Sequence, residues 1–423
     1  MTNLELIEYA REKESELEAV KDLRVEDEFK ANTFSFRTNA DVDYSRILYS
    51  SSFRRLQGKM QLFIPKSQVF YRNRLTHSYE VAQIAKTIAK KLQLQDIITP
   101  QTVSLAHDLG NPPFGHAGEI ILDKISKERY EGNAQTFRIL RRLEERHYDF
   151  NGLNLTIRTM LGIVKYYEKA SSGNNKFLYD EDYNLVKRWI EDYKINYKTI
   201  DCEIMDLSDE IAYAVHDLED ALKLKYFTLD ELLYEFSIHD EFKDVVRELK
   251  KVFIRAKEFA SKSHVYKTSE EYAMLLRKEL TSQLTSMFIL DVDLIKGKLG
   301  FKEYGKLVKG LKKLTFHAIK RQPDIMEYEQ LGKSILTKLF HLYMDKDFNK
   351  DMLLMPANYR IPDKWERKVL DYLGGMMDIY AIRKYEKYFG KIKNGVINYE
   401  QLLPTKNIVH LAESAKNKDD SNK

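Results

Sequence analysis

SLAHDLGNPPFGHAGE, residues 104–119, sets a histidine beside an aspartate, His107-Asp108. A Gly/Pro-rich turn carrying His116 and Glu119 follows. An adjacent His-Asp pair lets two metal ligands leave one helix together. Upstream, His77 stands in RNRLTHSYE (72–80); downstream, Asp209 stands in MDLSDEIAYAVHDLED (205–220). Two imidazoles and two carboxylates form a hard-to-borderline donor set, suited to one divalent cation of the Mg, Mn, Fe, Co or Zn kind. His77 and Asp209 must then come in from other helices. The last segment holds Asp206, Asp209, Asp217 and Asp220; on a helix, Asp209, Tyr213 and Asp217 share a face. His116 and Glu119, three apart, let a carboxylate orient an imidazole, as a general acid or base requires.

Around this segment, apolar residues recur at helical spacing almost throughout the 423 residues, and Gly (17) and Pro (8) are scarce. VAQIAKTIAKKLQLQ (81–95), RTMLGIVKYYEKA (158–170) and LGKSILTKLFHLYMD (331–345) each predict an amphipathic helix. Pro100, Pro112-Pro113, Pro356 and Pro362 read as helix breaks. One large all-α domain is expected, with a small hairpin or insertion between about 225 and 300. The single cysteine, Cys202, excludes an internal disulfide framework, points to a reducing compartment and reads as a buried, inert thiol. MTNLELIEYAREKESELE has no apolar signal core and no stretch reaches membrane-spanning length, so a cytoplasmic protein without membrane attachment is expected. The tail ESAKNKDDSNK (413–423) is polar and expected to be disordered.

Lys and Arg (69) nearly balance Asp and Glu (65), which gives no overall case for nucleic acid. The exception is 296–313, KGKLGFKEYGKLVKGLKK, dense in lysine; it reads as a solvated helix face, with a polyphosphate or nucleic-acid backbone as the alternative target. No Ser or Cys nucleophile with a companion base stands out, and no GxxxxGK[ST] loop is present, so kinase-type transfer is unsupported.

One His, then His-Asp, then a distant Asp resembles the HD-domain metal phosphohydrolases, and the flanks resemble their deoxyguanosine triphosphate triphosphohydrolase branch. The matching stretches are 44–63 (YSRILYSSSFRRLQGKMQLF), 72–85, 107–119, 131–140 (EGNAQTFRIL), 152–167 (GLNLT, then VKYY) and 206–221. A weaker echo, DYLGGMMDIYA, lies at 371–381. The resemblance implies an HD-type multi-helix fold with additional C-terminal helices. It divides the chain into an N-terminal helical segment (1–33), a catalytic domain (34–390, metal-site core 44–221) and a C-terminal extension with a partly disordered tail (391–423). It implies His77, His107, Asp108 and Asp209 as metal ligands and His116 with Glu119 as the catalytic pair. Asn133, Lys165 and Tyr166 would meet the phosphates, joined by Arg74, whose guanidinium suits phosphate. Gln61 would meet the sugar 3′-hydroxyl, with Leu62 beside it in the substrate site; Tyr213 and Asp217 would line the sugar, the tyrosine ring excluding a 2′-hydroxyl. KMQLF replaces the usual KTQVF, and GGMMD replaces GMTD; neither change touches a proposed ligand.

The activity implied is hydrolysis of a deoxynucleoside triphosphate, dGTP by the family's name, to deoxynucleoside and inorganic triphosphate by water attack at the α-phosphorus. Tetramers or hexamers of the chain are implied as well. Arg46, Arg54 and Arg55 read as framework residues, with a regulatory nucleotide or single-stranded DNA as the other reading. Two rival functions stand beside this one: an HD-type phosphodiesterase or phosphatase on another nucleotide, and a single-stranded nucleic-acid-binding regulator with a vestigial metal site. The base-reading residues fall in the divergent second half and stay unassigned.

Overall fold

Helical periodicity becomes helix along most of the chain. The structure, a computed structural model, describes residues 3–27, 36–61, 72–144, 147–262, 265, 267–360 and 362–392. These form seventeen α-helices and a single two-stranded antiparallel sheet, so the fold is all-α. Leu62 and the 413–423 tail lie outside the described residues.

The long Ile200–Lys223 helix is the axis. Thr199 caps it by accepting from the Cys202 amide, and apolar side chains on several of its faces (Ile204, Met205, Leu207, Ala212) are buried. A helix apolar on several faces must be enclosed; here the Arg74–Lys91, Ile98–Ala106, Ile157–Ile163 and Gly305–Lys320 helices pack around it. A second apolar cluster joins the C-terminal helices Pro323–Met344, Trp365–Gly374 and Asp378–Phe389 to Phe114, Leu122 and Tyr130.

Three sequence expectations are corrected, and a fourth, the small hairpin, is met. Pro100 does not break a helix; it occupies the first turn of Ile98–Ala106, where its missing N–H has no intrahelical partner to lose. RTMLGIVKYYEKA is helical only to Ile163; Val164 turns out (ψ 85°) and puts Lys165 and Tyr166 on a loop. The hairpin falls at the far edge of the expected window, pairing β1 (Val292–Ile295) with β2 (Lys298–Phe301). Lys296 and Gly297 between them have φ of 52° and 79°, the two positive values that a type I′ turn needs. Finally, His107-Asp108 does not sit within a helix: His107 is the C-cap residue of Ile98–Ala106, so both side chains leave from the helix end.

The loop that follows is held by the distant C-terminal helices. Phe114 adopts a left-handed conformation (φ 63°, ψ 21°), unfavourable for a residue with a Cβ. Its buried ring packs edge-on to Tyr328, and it passes so close to Gly332 that a Cβ there would lie 2.4 Å from it. Its amide donates to Asp378 Oδ1 (3.0 Å), while the Met60 amide donates to Oδ2 (3.0 Å). Lys59, also buried, donates to the carbonyls of Asn111 and Gly374. One carboxylate thus fixes both the strand of chain leading to Gln61 and the loop leading to His116.

Asp378→Ala leaves those two buried amides unpaired, at about 1–3 kcal/mol each. The expected result is a urea midpoint clearly below wild type, with Asp378→Asn intermediate. A midpoint equal to wild type for Asp378→Ala would contradict this tie.

Candidate functional site

Asn73 caps the Arg74–Lys91 helix in a reciprocal capping box with Thr76, which fixes His77 in the first turn. The His77 ring faces the middle of the Ile200–Lys223 helix, where its Nε2 lies 3.2 Å from Asp209 Oδ1. His107 reaches the same oxygen from the third side, with Nε2 at 3.5 Å. Ligand atoms of His77, His107 and Asp209 all lie within 4.8 Å of one another, and the three residues are buried. This group can hold a metal ion.

Second contacts orient the rings. His107 Nδ1 lies 2.6 Å from the Ser104 carbonyl, which can only accept, so Nδ1 carries the proton and Nε2 points into the cluster. There Nε2 is buried with no hydrogen-bond partner among the described residues, as a metal-binding nitrogen would be. Burial works to lower the His107 imidazole, but the Asp108 and Asp209 charges outweigh it and raise it to about 9. For Asp209, burial works against the charge, and His107, His77 and Lys165 overcome it, holding the carboxyl well below its usual range. The local field therefore favours positive charge among these groups.

Asp108 stands beside the cluster rather than within it. Its Oδ1 is 3.6 Å from His107 Nε2 and takes a hydrogen bond from Asn111 Nδ2 (2.5 Å); its Oδ2 takes one from Arg74 Nη1 (2.7 Å). Arg74 is thus partly committed to Asp108.

The cluster floors a cleft of about 860 Å³. Gln61, Arg74, His107, Asp108, His116, Glu119, Asn133, Lys165, Tyr166, Asp209, Tyr213 and Asp217 all line it, with His77 packed beneath, its ring centroid 5.0 Å from that of Tyr213. Asp209, Tyr213 and Asp217 share the helix face that their spacing predicted. Burial, then the charge of Asp220, pushes the Asp217 carboxyl well above its usual range. Gln61 is buried, and neither end of its amide has a partner among the described residues. His116 opens onto the cleft with 64% of its side chain exposed, and its Nδ1 lies 3.1 Å from Glu119 Oε2. Burial opposes ionisation of Glu119, but His116, Lys176 and the Gly132 amide outweigh it and bring it down to about 2. An ionised Glu119 only accepts, so His116 presents Nε2 to the cleft.

Other lining residues escaped the sequence reading: Lys176, Phe316, His317 and Lys320. Lys309, Lys312 and Lys313 belong to the lysine run, so the run's C-terminal part forms a cleft wall. Lys309 and Lys313 also pair with Glu241, and Lys312 Nζ stands 5.4 Å from the Tyr213 ring centroid. Arg46 serves structure, donating to the Leu153 and Asn154 carbonyls, and Arg55 donates to Ser52 Oγ. Cys202 is fully buried, and burial raises its thiol to about 11, which makes it inert.

The family profile described as HD domain matches residues 74–214, the stretch that carries His77, His107 and Asp209. A second, described as Phosphohydrolase-associated domain, matches 302–387, the lysine wall and the C-terminal helices. A Vibrio cholerae serotype O1 protein named deoxyguanosinetriphosphate triphosphohydrolase-like protein 2 is 49% identical over 395 residues, covering 92% of this chain and 98% of its own. Deoxyguanosinetriphosphate triphosphohydrolase-like proteins of Rickettsia bellii and Ralstonia pickettii are each 33% identical over 84% of the chain. The chain belongs to this triphosphohydrolase-like family of HD-domain phosphohydrolases. Among the described residues no helix is long and apolar enough to cross a membrane.

His77→Ala and Asp209→Ala are expected to keep the wild-type far-UV circular dichroism and to lose bound metal in elemental analysis, whereas His116→Ala keeps it. Metal retained at wild-type stoichiometry in either of the first two would sink the cluster as a metal site.

Glu119 gives a pH-dependent expectation. Its folded pKa lies below the unfolded one, so its contribution is complete above the unfolded value and fades as pH falls toward about 2. Glu119→Gln should therefore be less stable than wild type at pH 7, with the gap shrinking below about pH 4.5. A gap that is constant across that window contradicts the assignment.

Proposed function

We propose that this protein hydrolyses deoxynucleoside triphosphates, dGTP foremost, to deoxynucleoside and inorganic triphosphate. The observation that carries the reading is the union, in one cleft, of a His-His-Asp cluster able to hold a cation, a lysine-rich wall and a buried glutamine whose amide has no partner among the described residues. A triphosphate is polyanionic and needs cations on more than one side; Lys165, Lys176, Lys309, Lys312 and Lys313 surround the space above the cluster. Gln61 offers both a donor and an acceptor, which suits a sugar hydroxyl.

His77, His107 and Asp209 would hold a divalent cation, Mg or Mn or one of Fe, Co and Zn, with Asp108 completing the set. When bound, that cation supplies a more acidic water and withdraws charge from a phosphoryl oxygen. Arg74, Asn133, Lys165 and Tyr166 bind the phosphate chain and keep the α-phosphorus near the cluster. Water attacks this phosphorus and releases a proton to solvent, the bond to the 5′-oxygen breaks, and His116, oriented by Glu119, delivers a proton to the departing oxygen. The products are a 5′-hydroxyl nucleoside and intact triphosphate. Placing the lysines inside the cleft, beside the cluster, favours a polyphosphate substrate over a nucleic-acid strand on a free face. Assembly into tetramers or hexamers belongs to the same reading; light scattering from a monomer-sized species over a wide concentration range contradicts it.

Sugar selection rests on Tyr213, packed against His77. A 2′-hydroxyl pressed on that ring would be buried without a partner, at about 1–3 kcal/mol, or roughly ten- to a hundredfold in rate. Tyr213→Ala should narrow the dGTP/GTP ratio of kcat/KM by admitting GTP, while Gln61→Ala weakens both. Chromatography of the wild-type reaction with each dNTP, with Mg²⁺ or Mn²⁺, should give nucleoside and triphosphate. Orthophosphate or a nucleoside monophosphate as product would instead support a different nucleotide hydrolase.

A further inference from the structure

Lys176 belongs to NNKFLYD (174–180), a stretch without a catalytic motif. The two residues that follow it are well anchored. Phe177 is fully buried beneath the Arg129 guanidinium, and Leu178 exchanges backbone hydrogen bonds with Glu168 and Ala170. Lys176 itself reaches into the cleft, where its Nζ donates to Glu119 Oε1 (3.0 Å) and Glu131 Oε1 (2.7 Å). Glu119 Oε2 is the oxygen that His116 meets, so the lysine and the imidazole share one carboxylate. Glu131 in turn accepts from Asn133 Nδ2 (2.7 Å) and the Ala134 amide. The ammonium lies 5.9 Å from the centroid of the Tyr166 ring.

We propose that Lys176 is a positioning residue that sets the proton affinity of His116 through Glu119, and through Glu131 holds Asn133 at the phosphate side of the cleft. The first half rests on reading His116 as the proton donor. A carboxylate hydrogen-bonded to an imidazole stabilises its protonated form. An ammonium on the far oxygen of the same carboxylate withdraws part of that stabilisation and makes imidazolium a better acid. The other cleft lysines are engaged elsewhere: Lys165 with Asp206, Lys309 and Lys313 with Glu241, and Lys312 over the Tyr213 ring. Asp123, one turn along the same helix, is bonded to Arg129, and Arg74 below is bonded to Asp108. Glu329, on the packed Pro323–Met344 helix, is bonded to Lys320. The phenol of Tyr130 is buried and bonded to the Gly110 carbonyl. Among these groups, Lys176 is the cation that touches Glu119.

The test is an NMR titration of His116 in the Mg²⁺-loaded protein, its resonance assigned with His116→Ala, beside kcat–pH profiles. Lys176→Met should raise the His116 midpoint by roughly one pH unit, the order expected for removing a unit charge one carboxylate away. Lys176→Arg, which keeps the charge, should stay near wild type. Lys176→Gln should show the same rise, and it keeps the test open should Lys176→Met fail to fold. An unmoved midpoint in both neutral variants, or an equal shift in Lys176→Arg, overturns the proposal. A shifted midpoint with an unshifted kcat profile supports the role of Lys176 while overturning His116 as proton donor.

Discussion

Asp209 is the group on which the site depends. A carboxylate buried in the middle of a long helix is costly unless positive or hydrogen-bonding partners surround it. His77, His107 and Lys165 meet that demand, each from a different segment. The helices that carry the two histidines must therefore pack on the Ile200–Lys223 helix at one depth and in one register. The apolar faces along the same helix supply the packing energy, and the polar interruption at Asp209 specifies where the partners stand.

The second constraint comes from the far end of the chain. Asp378, Gly374 and Gly332 are remote in sequence from the metal cluster, yet they set the path of the 111–115 loop and the approach to Gln61. The left-handed Phe114 persists because its ring is buried and its amide is bonded to Asp378. The match of a phosphohydrolase-associated profile to 302–387 has a physical content here: that region supplies one wall of the cleft and the clamp on its loop.

Legibility in the sequence followed the type of signal. The all-α class was readable because helical periodicity is repeated along the chain, and the donor set because the stretches around it resemble the HD-domain phosphohydrolases; of its four members His77, His107 and Asp209 come together. The Asp209–Tyr213–Asp217 face was readable because spacing on a helix fixes direction. Lys165 and Tyr166 were placed in a helix because the apolar spacing of RTMLGIV continues past the residue where the backbone turns out. Lys176 had no local signal, since its meaning lies in two carboxylates remote in sequence. Asp378 had little, because its partners are backbone amides, which no side-chain pattern betrays. The lysine run was visible, but only packing could show that part of it faces the cluster.

The account centres on cleavage between the α-phosphorus and the 5′-oxygen, beside the buried cluster. Hydrolysis of dGTP in ¹⁸O-labelled water, followed by mass spectrometry of both products, tests this directly. The account predicts label in the inorganic triphosphate and none in deoxyguanosine. Label in the nucleoside 5′-hydroxyl, or in released orthophosphate, would contradict it.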